Sequence, residues 1–130
     1  MDELELENVA VQKPALMLYE FPHVSRGTDP VPEVWHRAIN DANSAKRLFG
    51  EKRYEGAGDL YLAVAALLPE SAAIGIYGGE FAAARAIAYQ NAALCYKAGG
   101  MAVKAEKKLS AIDDRGARDG LVKAIDLLSE

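Results

Sequence analysis

The chain has few of the residues on which metal sites and disulfide scaffolds depend. Its 130 residues include one cysteine and two histidines. Cys95 cannot form an internal disulfide, so a secreted scaffold stapled by disulfides is not expected. A zinc site needs three or four ligands at short spacings, and no two of Cys95, His23 and His36 are close in the sequence. We therefore predict no metal and no cofactor.

Long apolar runs and an excess of positive charge are also missing. The longest apolar stretches, 62–68 and 72–77, are too short to span a bilayer. The first seven residues are acidic, where a secretory signal would be basic and then apolar. A net charge of −4 disfavours binding to nucleic acid or to anionic lipid. We expect a cytoplasmic protein whose partners include no nucleic acid and no membrane.

The residue types used in catalysis do not form a recognisable set. Cys95 lies in an apolar stretch, where a free cysteine usually packs as a small core residue. Asp113 and Asp114 precede a predicted helix and are expected to cap it. Neither Gly78-Gly79 nor Gly99-Gly100 is followed by the lysine of a phosphate-binding loop. We therefore predict that the protein is not an enzyme.

The chain does contain a helical pattern of apolar residues, which begins near residue 33. Four of the five prolines precede that point, and each of them blocks a long helix. From Glu33 onward, apolar residues recur with helical period and many of them are alanine or leucine. We predict an extended, proline-containing segment over 1–32 and a helical domain over 33–130, with helices near 33–49, 54–68, 80–98, 101–112 and 115–129.

An apolar stretch, 15–21, lies between the prolines of the amino-terminal segment. It is too short to bury its large side chains in a helix of its own, and leaving them in water is unfavourable. It should therefore lie against the domain of the same chain, a second copy or a partner. Docking on the same chain is the alternative that we favour.

The helical domain carries an internal repeat of small and large residues. Ala57 and Ala105, which are 48 residues apart, lie in similar surroundings. Small residues recur where two helices of a hairpin would cross closely, and large apolar residues follow one turn away. The two copies read Ala45-x-x-Leu48 with Tyr54-x-x-Ala57-x-x-x-Tyr61, and Ala93-x-x-Tyr96 with Ala105-x-x-x-Leu109.

This pattern resembles the tetratricopeptide repeat (TPR), a helix–turn–helix unit of about 34 residues. Ala45 and Ala93 match the small residue of its first helix. Ala57 and Ala105 match the characteristic alanine of its second helix, and Pro69 its closing proline. The resemblance covers about 38–117. It implies an all-α fold, a right-handed stack of antiparallel helical hairpins with two TPR-like units, completed by a C-terminal capping helix.

The chain departs from the family pattern at three points. Asp41 occupies a position where the family has a large aromatic residue. About 14 residues, 72–85, are inserted between the two units, and we expect them to lengthen the first helix of the second unit backwards from Arg85. Two units are visible, whereas a free-standing array needs about three.

In proteins of this family, the first helix of each unit lines a concave groove that holds a peptide or a helix. The corresponding positions are mostly apolar with two lysines, which suits a ligand with hydrophobic anchors and an acidic group. The family's clamp for a terminal carboxylate needs two lysines, two asparagines and an arginine, and only Asn91 falls in register, so we do not predict a clamp. The predicted partner-binding residues are Ile39, Ala42, Lys46, Phe49, Ile87, Gln90, Leu94 and Lys97.

Two clusters of positive charge offer a second kind of binding site. Each could hold an acidic peptide, but balanced surface charge on a solvated helix is the commoner use of such residues. The first cluster is Lys46, Arg47, Lys52 and Arg53, and the second is Lys104, Lys107, Lys108, Arg115 and Arg118. An ordinary solvated surface is favoured more strongly for the second cluster than for the first.

The leading functional prediction is a non-catalytic adaptor or chaperone-like module that binds another protein or peptide. The alternative is a structural subunit that self-associates or co-assembles through apolar surfaces. A homo-oligomer formed through the amino-terminal segment is one form of that alternative.

Overall fold

The computed structural model describes residues 17–21, 32–68 and 78–129, and the regular structure within those ranges is all helical. The prediction of an all-α chain is confirmed for these residues. A short 3₁₀ turn, Arg115–Ala117, precedes the last helix. The helices are α1 (Glu33–Gly50), α2 (Tyr54–Leu67), α3 (Gly78–Ala98), α4 (Ala102–Ser110) and α5 (Arg118–Ser129).

The helix bounds differ from the predicted ones by a few residues. Helix α3 begins at Gly78 rather than at residue 80, so residues 78–85 of the insertion extend it backwards as predicted. Helix α4 ends at Ser110, two residues earlier than predicted. Pro69, the remainder of the insertion and most of the amino-terminal segment lie outside the described residues.

Small residues allow the helices to pack closely. Helix α2 packs on both α1 and α3, and α5 packs on both α3 and α4. Ala45, Ala57 and Ala105 are fully buried, as residues at close helix crossings must be. Helices α3 and α5 approach each other closely, since a Cβ atom placed on Gly120 would lie about 2.5 Å from the Cα atom of Ala86.

The two turns that join α1 to α2 and α3 to α4 have the same hydrogen bonds. In each, the helix ends in a Schellman motif, in which an N–H group bonds to the carbonyl five residues earlier and the preceding residue has positive φ. The matching bonds and residues are Arg53 N to Leu48 O (2.9 Å) with Lys52 at φ 65°, and Met101 N to Tyr96 O (2.8 Å) with Gly100 at φ 75°. Because each pair is 48 residues apart, the sequence repeat is also a repeat of backbone geometry.

A buried ion pair fixes the position of α5 on α3. The guanidinium Nε of Arg85 lies 2.7 Å from Asp114 Oδ2, and both side chains are almost fully buried. The Tyr89 hydroxyl donates to the same carboxylate at 2.7 Å. The other carboxylate oxygen accepts from the N–H group of Ala117 at 3.1 Å. The predicted capping role is therefore confirmed for Asp114, which caps the turn leading into α5.

The same contacts set the ionisation of Asp114. Burial by itself would raise the pKa of this carboxyl, but the hydrogen bonds from Arg85 and Tyr89 and the guanidinium charge outweigh burial. The pKa of Asp114 therefore lies below its ordinary value, and the group is ionised at neutral pH.

Candidate interaction face

Residues 17–21, which we call the docked segment, lie against α1 and α3 of the same chain. The N–H group of Tyr19 donates to Asn91 Oδ1 at 2.7 Å. Asn91 Nδ2 in turn donates to the carbonyl of Tyr19 at 3.0 Å. One asparagine side chain thus satisfies both backbone polar groups of one residue. The Tyr19 side chain is 44% exposed, so the pairing does not depend on its identity.

An aromatic stack joins the docked segment to both helices. The ring of Phe21 stacks on Trp35 of α1 with 5.7 Å between centroids. Trp35 stacks in turn on Phe81 of α3 at 6.1 Å. Trp35 is only 5% exposed and is the single tryptophan of the chain. Its surroundings therefore depend on Phe21, which makes its fluorescence a reporter of the docked segment.

The third contact is electrostatic. Lys46 Nζ lies 3.5 Å from Glu20 Oε1, and the two side chains are 63% and 88% exposed. An ion pair of such exposed groups contributes little stability and is screened by salt. Trp35, Lys46 and Asn91 together form what we call the docking face. It offers an aromatic surface, a positive charge and a donor–acceptor pair.

Asn91 is fully buried and lies near Tyr61 of α2. Burial raises the pKa of Tyr61 well above its ordinary value, and the nearby Asn91 amide opposes that rise only in part. Tyr61 therefore keeps its proton at neutral pH, so the side chain near Asn91 is a neutral hydroxyl.

The structure places the predicted partner-binding residues in several different environments. Lys46 contacts the docked segment through Glu20. The Lys97 amine instead donates to the carbonyl of Leu127 at 2.9 Å, so it is directed at α5. Ala42 and Leu94 are buried, and the others are partly buried: Ile39, Phe49, Ile87 and Gln90.

Two residues of the docking face, Asn91 and Trp35, were not among the predicted site residues. Asn91 matches one position of the family's clamp, but the sequence lacks the other residues of that clamp in register. A polar amide within the apolar run of α3 was the available signal. Trp35 precedes the region of family resemblance, and its stacking partners are 14 and 46 residues away in the sequence. No local pattern indicated that contact.

Neither the candidate nucleophile, Cys95, nor the described His, Asp and Glu side chains have the surroundings that nucleophilic or metal chemistry needs. Cys95 is fully buried, as predicted, and burial raises the pKa of its thiol to about 12. A protonated, inaccessible thiol is a poor nucleophile. Within the described ranges, no group of three or more His, Cys, Asp or Glu side chains is placed to hold a metal ion. None of the described helices is both long and apolar enough to cross a membrane.

The basic residues of α4 pair with acidic residues of α2. Lys104 forms an ion pair with Glu55, and Lys108 Nζ lies 3.0 Å from Asp59. The hydroxyl of Tyr96 also donates to Asp59. Burial would raise the pKa of Asp59, but these partners lower it overall. For Lys104 and Lys108, the prediction of a balanced, solvated face is confirmed.

No protein-family model, curated protein or solved structure matches the chain. The docking face is therefore the feature from which a function can be inferred.

Proposed function

We propose that the chain is a non-catalytic protein–protein interaction module, adaptor or chaperone-like, that holds an extended peptide between α1 and α3. The observation that carries this proposal is the pairing of Asn91 with both the N–H group and the carbonyl of Tyr19. Hydrogen bonds to a peptide backbone give affinity for any sequence, and contacts beside them give specificity. Lys46 and Trp35 supply such neighbouring contacts.

The repeat geometry supports a TPR-like arrangement. The docked segment contacts α1 and α3, which are the first helices of the two hairpins. These are the helices that line the ligand groove in the family that the sequence resembles. The matching turns support the equivalence of the two hairpins, and the packing of α5 on α3 and α4 supports the proposal that it is the capping helix. A cytoplasmic location remains part of the proposal.

The direct test is binding of a peptide that reproduces the docked segment. A release variant, Leu18→Ser with Phe21→Ser, removes the two apolar anchors of the chain's own segment. A labelled peptide with the sequence of residues 15–22 should bind this variant saturably in a fluorescence anisotropy titration. Adding Asn91→Ala should weaken binding at least tenfold, because the backbone of the peptide loses both hydrogen bonds.

Asn43→Ala is the matched control, since Asn43 is an exposed asparagine on α1. Circular dichroism should show that both asparagine variants remain helical. The proposal is wrong if the release variant does not bind the peptide, or if a folded Asn91→Ala variant binds it as well as the control does.

Exposed valines on α4 and α5 favour the second candidate, a structural subunit. Val103 and Val122 are 70% and 51% exposed, and Val122 lines an open cleft beside Leu121 and Ile125. Apolar side chains at such a surface are typical of contacts with another chain. A closed oligomer in light scattering that is lost on Val122→Asp would support this candidate. A concentration-independent monomer would support the peptide-binding module.

A further inference from the structure

We infer that the docked segment is an internal competitor, which occupies the docking face until a partner peptide of the same chemical pattern displaces it. The pattern is an aliphatic residue, any residue, an acidic residue and an aromatic residue, in that order. This inference rests on the proposed function and adds to it the chemistry of the partner and the means by which access is limited.

Each position of the pattern corresponds to one contact of the docked segment. The aliphatic position is Leu18, which packs partly buried against the core. The second position contributes its backbone to Asn91 and leaves its side chain exposed, as Tyr19 does. The acidic position is Glu20 at Lys46, and the aromatic position is Phe21 on Trp35. A free peptide with this pattern can reproduce all of these contacts.

The contacts that hold the docked segment are of a kind that a free peptide can replace. Met17 is 68% exposed, and the ion pair between Glu20 and Lys46 lies at the surface. The two backbone hydrogen bonds go to a single side chain. The buried pair of Arg85 and Asp114 is different, since both side chains are at least nine-tenths buried. Exchange of the docked segment therefore requires no rearrangement of the helical core.

Because the docked segment belongs to the same chain, it can keep weakly binding peptides off the docking face. Ten residues, 22–31, connect it to the start of the helical domain. A chain of that length can span roughly 33–36 Å, far more than the 5.7 Å between the rings of Phe21 and Trp35. A ligand joined by such a connection acts at an effective concentration in the millimolar range. A free peptide therefore binds with an apparent affinity reduced by the fraction of molecules whose face is open.

The test compares the full-length wild-type chain with the full-length release variant. The labelled peptide of residues 15–22 should bind the release variant at least tenfold more tightly than the wild type. Trp35 emission should shift to longer wavelength in the release variant, because the indole loses the Phe21 ring. Adding the peptide should reverse that shift, since its phenylalanine stacks in the same place.

Charge exchange tests the acidic position. A peptide with lysine at the position of Glu20 should bind the release variant at least threefold more weakly. Lys46→Glu in that variant should restore its binding. Lys107→Glu is the matched control, because Lys107 is an exposed lysine on α4, and it should not restore binding.

The outcomes separate this inference from the proposed function. Equal affinity for wild type and release variant would overturn the competition and leave peptide binding intact. Equal binding of a scrambled peptide by the release variant would overturn the pattern. A wild-type dimer in light scattering that the release variant does not form would also overturn the inference, because the segment would then dock on a second copy. Failure of the release variant to bind the peptide would mean that the proposed function itself is wrong.

Discussion

Lys52 and Gly100 occupy the same position in the two hairpin turns and have nearly the same backbone conformation. Both have positive φ, at 65° and 75°. This region is unfavourable for a residue with a Cβ atom and is open to glycine. We expect Lys52→Gly to raise the free energy of unfolding by about 0.5–1 kcal/mol, and Gly100→Ala to lower it by a similar amount. Urea denaturation measures both. A loss of stability on Lys52→Gly would contradict the equivalence of the two turns.

Asp114 is the residue whose charge should matter most for stability. Asp114→Asn removes the carboxylate charge that pairs with the buried guanidinium of Arg85, so we expect a loss of about 3 kcal/mol in the free energy of unfolding. Asp113→Asn is the control, since Asp113 is exposed. Urea denaturation should show little change for the control, and equal losses in the two variants would contradict a structural role for the ion pair.

The lowered pKa of Asp114 also predicts a dependence on pH. In the unfolded chain the carboxyl titrates near 3.8, and in the folded chain it titrates lower. The stabilisation is therefore complete above the unfolded pKa and is lost as the pH falls below it toward the folded pKa. Denaturation measured between about pH 5 and pH 2 should show a steeper loss for wild type than for Asp114→Asn. Parallel curves would mean that folding does not lower the pKa of Asp114.

Among the elements, α3 and α5 cross with no room for a side chain at Gly120. A methyl group on Gly120 would meet the backbone of Ala86, which cannot move aside as a flexible side chain can. We expect Gly120→Ala to cost about 1–3 kcal/mol, although alanine is the better helix former. Gly50→Ala is the control, because a Cβ atom at Gly50 meets nothing within 4 Å. Thermal unfolding of both variants tests this, and an unchanged Gly120→Ala variant would contradict the close approach.

Helix positions were largely predictable because their signals are local. Gly99 and Gly100 follow α3, and Asp114 precedes the turn into α5. The start of α3 was less predictable, since the predicted helix begins after Gly78 and Gly79, at residue 80, whereas the observed helix includes both glycines. The partners of Arg85 and Lys97 could not be predicted, because Asp114 and Leu127 are about 30 residues further along the chain. Periodicity defines the buried face of a helix but does not identify the opposing residue.

The docking face was predictable only in its general character. The sequence predicted an apolar site with lysines, and Lys46 does contact the docked segment. The central contact, between Tyr19 and Asn91, joins residues 72 positions apart. No sequence pattern relates these two positions, because the contact forms only when the fold brings the backbone of Tyr19 beside the side chain of Asn91. A polar residue in an apolar helix, such as Asn91, indicates that its side chain has a hydrogen-bonding partner but does not identify that partner.

For the whole molecule, the docked segment is held by favourable and unfavourable contributions of similar size. Two partly buried apolar side chains, two hydrogen bonds and one aromatic stack contribute about 5 kcal/mol together. Ordering the backbone of five residues opposes docking and offsets most of this gain. The segment should therefore add little to the stability of the helical domain, and its release should cost little.

The release variant, Leu18→Ser with Phe21→Ser, tests this balance. We expect its helical circular dichroism to match wild type and its free energy of unfolding to fall by less than about 2 kcal/mol, because only the marginal contribution of docking is lost. Leu109→Ser is the control, since Leu109 is fully buried between helices, and it should cost at least about 3 kcal/mol. Urea denaturation of wild type, the release variant and Leu109→Ser measures the free energy of unfolding of each. If the release variant loses as much stability as Leu109→Ser, the segment is part of the core, and a partner peptide could not displace it without unfolding the domain.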